Sequence, residues 1–310
     1  MDRFKNVVVG VDLAGRQHLI ATTRTLDRFS RAALDKAIWV AKRNRAALHV
    51  LTTIDIDPHA EALIRRDAAA GKRTVLTQAE ERLDELTADA VADGLTVTTH
   101  TEFGLPARVL LADVRDNGRD LVVVGTRARS TLRRRLLGST ALRMLLHAPV
   151  PTWIAREGHN DVFDTVVAPI DFDDAAPTIL RLAESFARDM SATLHVVHVV
   201  DYSAEHLLRA GDADDEMISE YHRERRADAS RHFDEFLAQH LKDPDSAQKH
   251  LLAGAVAESI LEFVAQAAAD LVVVGTAGTR GLDDAFVGDT AERVLPHLDT
   301  SLLIVKPTDG

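Results

Sequence analysis

The stretch "DLVVVGT" fills residues 120 to 126 and recurs at residues 270 to 276, an offset of 270 − 120 = 150. A run of branched apolar residues closed by glycine suits a strand buried on both faces. The same offset aligns what surrounds it. "GLPARVLLADV" from Gly104 faces "GAVAESILEFV" from Gly254, and "HAPVPTWIAR" from His147 faces "HLDTSLLIVK" from His297. Upstream, "ALHVL" at 47 to 51 faces "TLHVV" at 193 to 197, and "NVVVGVD" ending at Asp12 faces "TVVAPID" ending at Asp171. The last offset is longer because the first copy carries extra residues, "AGRQHLIATTRTL", after its first strand. The chain reads as two homologous halves, 1–157 and 162–310, joined near "REGHNDVF" at 156 to 163. Searching for such a repeat comes first, because missing it misassigns the whole fold.

Each half alternates short apolar runs with helical patterns. Strands are expected at 7–11, 47–54 and around 95–102 in the first half, and at 165–170, 193–200 and around 246–254 in the second. Helices are expected at about 30–44 and 175–189, where apolar residues such as Leu34, Ile38 and Ala41 fall at three- and four-residue spacing. A long charged helix follows the second strand in each half. Strands separated by helices indicate a parallel sheet covered on both faces. In such a sheet, ligands bind at the carboxyl ends of the strands, where the strand order reverses.

Composition narrows the function. The 310 residues suffice for about two domains. A formal net charge of −11 disfavours non-specific nucleic-acid binding, which needs clustered cations. There is no cysteine, which removes thiolate catalysis, disulfides and Cys-ligated zinc. The N-terminal apolar run is short for a secretory leader, and no run reaches the roughly 18 apolar residues of a membrane span. A cytoplasmic protein without membrane insertion is expected. No "GxSxG", "GxxxxGK[ST]" or "HExxH" motif is present. No catalytic residue is therefore assigned, and the chain is not read as an enzyme. His195 and His198, three apart on one strand, point to opposite faces and do not share a metal. They read as core or boundary residues.

The segments after "LVVV" run "GTRARSTLRRRLLGST" and "GTAGTRGLDDAFVGDT". Gly125 aligns with Gly275 and Gly138 with Gly288. Glycine lets backbone N–H groups approach a ligand, and the N-terminus of the following helix attracts an anion. Ser139 and Thr140 are expected to cap the helix "ALRMLLH" and to offer hydroxyls to a polyphosphate. Arg127, Arg129 and Arg133 to Arg135 read either as a cationic rim or as a solvated loop, the solvated loop being preferred for the last three. The matching segment of the second half has Arg280 followed by Asp283 and Asp284, the opposite balance.

With these residues in place, the chain resembles the universal stress proteins, whose motif is G-x2-G-x9-G-[S/T] after the fourth strand. Gly275, Gly278 and Gly288 keep the spacing, with Asp289 where the family has Ser or Thr. The first half has Gly125, Ala128 in place of the second glycine, Gly138 and Ser139. The resemblance spans both halves. It implies a five-stranded parallel sheet of order 3-2-1-4-5 in each, and binding of ATP, usually with magnesium. By position, the nucleotide would meet Val11, Asp12, Val50, Gly125, Arg127, Gly138, Ser139 and Thr140 in the first half, with magnesium near Ser139. The second set is Ile170, Asp171, Val196, Gly275, Gly278, Gly288, Asp289 and Thr290. Ala128 costs about 1 kcal/mol if its φ must be positive. Asp289 matters more, since a carboxylate about 4 Å from a phosphate charge repels it by roughly 4 kcal/mol at an effective dielectric of about 20. It can itself cap the helix and compete for the same N–H groups, unless magnesium bridges the two. The first half is therefore expected to be the ATP site and the second to be degenerate. The function implied is a stress-response regulator with an unidentified protein partner. A slow ATPase switch and a scaffold that binds no nucleotide are the alternatives. The resemblance also implies pairing of the halves as an internal pseudo-dimer through the last strands, 151–155 and 301–305, since an unpaired apolar edge invites aggregation. A homodimer of whole chains remains open.

Overall fold

The computed structural model describes residues 3–13, 26–126, 138–157, 163–275 and 289–306. The chain divides into two units, Met1–Asp161 and Val162–Gly310. In the first unit the elements run β1 (Asn6–Val11), α1 (Arg28–Asn44), β2 (Ala47–Ile54), α2 (Pro58–Ala69), α3 (Val75–Ala92), β3 (Val97–Phe103), α4 (Pro106–Asp116), β4 (Leu121–Gly125), α5 (Ser139–His147) and β5 (Thr152–Ala155). The second unit repeats the plan as β6 (Thr165–Pro169), α6 (Ala176–Met190), β7 (Thr193–Val200), α7 (Glu205–Ala210), α8 (Asp215–His240), β8 (Ala247–Ala253), α9 (Val256–Gln266), β9 (Leu271–Gly275), α10 (Asp289–Val294) and β10 (Ser301–Val305).

All strand pairings within each unit are parallel. β1 lies between β2 and β4, with β3 outside β2 and β5 outside β4. β6 lies likewise between β7 and β9, with β8 and β10 outside them. Both units thus have the expected order 3-2-1-4-5. The central strands carry continuous apolar runs because helices cover both their faces, and Val7, Val8, Val9, Leu121, Val122 and Val123 are wholly buried.

The sequence reading did not separate α2 and α7 from the charged stretches beside them. Neither helix buries a residue, so neither imposes an apolar period on the sequence. α8 is 26 residues long yet buries only Ile218, Phe233 and Leu237.

The repeated heptad holds the sheet at both of its ends. The Asp120 carboxylate accepts from the backbone N–H groups of Lys5 and Asn6, at 2.5 and 3.0 Å, at the head of β1. Asp270 does the same for Asp164 and Thr165, at 2.8 and 3.0 Å, at the head of β6. At the other end Gly125 lies against α1. A Cβ there would stand 2.4 Å from the Phe29 carbonyl oxygen, which is backbone and cannot turn aside. At Gly275 the first obstacle is the Ile179 Cδ1 methyl at 3.1 Å, the movable end of a side chain.

Asp120→Ala should lower stability by about 1–3 kcal/mol, the range for stranding amides that had a charged acceptor. Urea unfolding with the exposed Asp116→Ala as control checks this, and equal midpoints would refute the clamp. Gly125→Ala should cost about 1–3 kcal/mol by overpacking, and more than Gly275→Ala, where the neighbour can rotate. The reverse order would show that the contact with Phe29 relaxes freely.

Candidate functional site

The carboxyl edge of the first unit is built on the first turn of α1. The Asp12 N–H, just past β1, donates to Ser30 Oγ at 3.0 Å, and the Ser30 hydroxyl donates to the Asp27 carboxylate at 2.8 Å. Asp27 also accepts from the N–H groups of Phe29 and Ser30, at 2.9 and 3.2 Å. The amino end of α1, which many doubly wound proteins present to a phosphate, is therefore already filled by a carboxylate. Since Phe29 abuts Gly125 and Ser30 holds Asp12, one helical turn fixes the ends of both β1 and β4.

The last helix begins differently. α5 starts at Ser139 with Gly138 as N-cap, and among the described residues no side chain caps it. This corrects the expectation that Ser139 and Thr140 would be the caps: they occupy the first helical positions, and the hydroxyl of neither closes the helix end. Gly138 has φ −61° and ψ 156°, a conformation open to any residue, so its backbone does not demand glycine. The helix end thus offers N–H donors and a positive dipole end at the edge where β4 stops.

Val50 does not reach this edge. It pairs with Val9, is wholly buried, and lies in the middle of the sheet. The register Val11↔Thr52 puts Thr53 level with Asp12. Val196 is likewise buried and opposite Ala168. Val11 and Ile170 are the buried last residues of their strand ends. The Val11 carbonyl accepts from Thr52 Oγ1 at 3.0 Å, and the Ile170 carbonyl is met at 3.0 Å by Nδ1 of His198, the equivalent residue. Burial lowers the pKa of His198, so the ring is neutral and its Nδ1–H donates. Thr53 and Val199 are therefore the second-strand residues at the edge. Counting back from Asp55 and Asp201, which follow β2 and β7, would have found them, whereas "LHV" did not.

In the second unit the carboxylate of Asp173, two residues ahead of the Ala175 N-cap of α6, accepts from the N–H groups of Ala175 and Ala176 at 3.1 and 3.0 Å. Loss of solvation first, and then neighbouring carboxylates, raise the pKa of Asp171 and of Asp173. Asp201 acts on the first, and Asp171 and Asp174 on the second. Phe172 stands between them at φ 53°, with its ring centroid 4.3 Å from that of His198 and 4.4 Å from that of His232 on α8. His195 and His198 point to opposite faces, one towards α9 and the other towards α8, as expected from their spacing. α10 begins at Asp289 followed by Thr290. Arg127, Gly278 and Gly288 lie outside the described residues, as do Ala128 and the remaining arginines of the first loop. Among the described residues no helix is long and apolar enough to cross a membrane.

Comparison with known proteins follows the repeat. The profile of the universal stress protein family matches residues 3–156 and again 163–306. The chain is 30% identical over 155 residues to Universal stress protein MJ0531 of Methanocaldococcus jannaschii, covering 49% of this chain and 87% of that one. It is 26% identical over 213 residues to Universal stress protein E of Salmonella typhi, covering 66% of each, just under two thirds of that relative's length. Among solved structures, a universal stress protein from Archaeoglobus fulgidus superposes with a TM-score of 0.63 at 18% identity, over 97% of this chain and 98% of that one. A protein of unknown function from Pseudomonas aeruginosa, PA1789, gives 0.68 at 20% identity, over 99% and 94%. With the family profile matched twice, in register with two 3-2-1-4-5 sheets, the chain belongs to the universal stress protein family as a tandem of two family domains.

Proposed function

We propose that the first unit binds ATP at its carboxyl edge and that the chain acts through that occupancy as a cytoplasmic stress-response regulator. The contrast between the two helix starts carries this reading. Asp27 fills the amino end of α1, while α5 begins at Gly138 with no side-chain cap. An anion at this edge finds donors at α5, where Gly138, Ser139 and Thr140 would hold the phosphates. Magnesium, when present, would neutralise phosphate charge beside the Ser139 hydroxyl. Asp12, Thr53 and Gly125 would border the nucleoside, with Thr53 replacing Val50 because it stands at the level of Asp12.

The second unit is proposed not to bind ATP. Its last helix begins with a carboxylate-bearing residue, Asp289, where the first has Ser139. Asp171, Asp173, Asp174 and Asp201 add further negative charge around the end of β6. Phosphate would meet repulsion from more than one side.

Native mass spectrometry and calorimetry of the purified chain should give one ATP per chain. Gly138→Val should weaken binding at least tenfold while lowering stability by no more than about 1 kcal/mol, the cost of a poorer N-cap at a backbone that valine can adopt. Unaltered affinity would remove α5 from the site. Asp289→Ser should raise the stoichiometry from one towards two. Two equivalents in the unaltered chain, or none, would overturn the assignment.

A further inference from the structure

His195 on β7 and His250 on β8 lie on the α9 side of the second unit's sheet, away from the carboxyl edge. The Nδ1 of His195 stands 2.9 Å from the Nε2 of His250. Their ring centroids are 5.1 Å apart, inclined by 22°. The phenyl ring of Phe263 on α9 closes over both, at 5.8 and 4.5 Å. β8 pairs only with β7 among the strands of its unit, so the two rings join an edge strand to the rest of the sheet.

We propose that this imidazole pair makes the outer edge of the second unit's sheet acid-sensitive, through a ring-to-ring contact that the first unit does not make. With both rings neutral, one N–H donates to the other ring's lone pair. One added proton is accommodated, because an imidazolium can still donate to a neutral imidazole. A second proton puts N–H against N–H and two like charges side by side under a phenyl ring, and the rings must part.

Among the described residues no carboxylate is found to offset that charge. The only charged group acting on His195 is His250, and burial is the sole influence on His250. On the elements packed around the pair, Lys249 of β8 is engaged with Asp234 of α8, and Glu258 and Glu262 of α9 are solvent-exposed. The first unit is built without the ring pair. Its counterpart of His195 is His49, which bonds to the Thr98 hydroxyl rather than to a second ring. Burial first, and then the Arg119 guanidinium, lower the pKa of His49, while Asp113, which stands at 263 − 150 where the second unit has Phe263, acts against them. The counterpart of His250 is His100, exposed and 3.6 Å from the Glu102 carboxylate.

The sign follows from the folded state binding protons less readily. Burial lowers the pKa of both rings, and His250 lowers that of His195 further. Their contribution to stability is whole above the unfolded value of about 6.5 and is lost as pH falls through the lower folded values. Each excluded proton favours the open form by about tenfold per pH unit in that window.

Hydrogen exchange of the β8 amides, in the full chain at pH 7.5 and 5.0 and corrected for intrinsic rates, tests the proposal. The opening equilibrium of β8 should rise at least tenfold on acidification, while that of β3 stays level. His250→Gln, which keeps hydrogen bonding without titrating, should abolish most of the rise, and Phe263→Asp, which restores the first unit's acid, should reduce it. An equal rise in β3, or in β8 of the His250→Gln chain, overturns the proposal. Should the variants misfold, NMR titration of the unaltered chain decides. One of the two rings must titrate well below 6.5, and both titrating at or above that value refutes it.

Discussion

The head of the fourth strand fixes the sheet. In each unit an aspartate there, Asp120 or Asp270, takes two consecutive amides at the head of the first strand. The two strands so joined are the pair between which the order 3-2-1-4-5 reverses direction, and that reversal opens the ligand crevice of a doubly wound sheet. A slip of one residue would exchange the two faces of a strand, so a clamp at the start of the ladder sets what arrives at its far end. At that far end, Gly125 admits the backbone of α1 to close contact. In the first unit clamp, ladder and contact all lie within the same seven residues.

Around this shared frame the units differ in what they place on it. The strand-end carbonyl is met by a threonine hydroxyl in one and a histidine ring in the other. The same position of the fourth helix carries Asp113 in one and Phe263 in the other. Asp113 is bound to Arg119 in a nearly buried ion pair, while Phe263 packs on two imidazoles. Both units set an aspartate carboxylate against backbone N–H groups at the start of the first helix, Asp27 as the N-cap of α1 and Asp173 two residues ahead of the N-cap of α6, so that feature belongs to the frame. The start of the last helix, serine in one and aspartate in the other, belongs to the contents.

The parallel sheets and their order were legible because buried strands leave unbroken valine runs, and because the repeat shows each run twice. Depth along a strand was not legible. β2 and β7 are eight residues long and apolar for most of that length, so nothing in "LHV" marks which residue reaches the edge. The cap of α1 was hidden by the inserted segment between Asp12 and Asp27, which separates two residues that one turn of helix brings together. Ser139 and Thr140 were misread as caps because a hydroxyl before an apolar helix has the same spelling whether it lies just outside the helix or just inside it.

The solvated middle of α8 has a consequence of its own. Between Ile218 and Phe233 no residue of the helix is buried, a span of 14 residues that covers about 21 Å at 1.5 Å per residue. Buried packing holds the helix near its two ends, and between them the contacts are made by incompletely buried side chains, His222 on Tyr202, Arg226 on the Leu251 carbonyl and His232 on Phe172. The length of the segment sets how far apart the two buried ends of α8 stand. A gain or loss of residues alters the distance by 1.5 Å and the facing by about 100° each, while the sheet below keeps its packing.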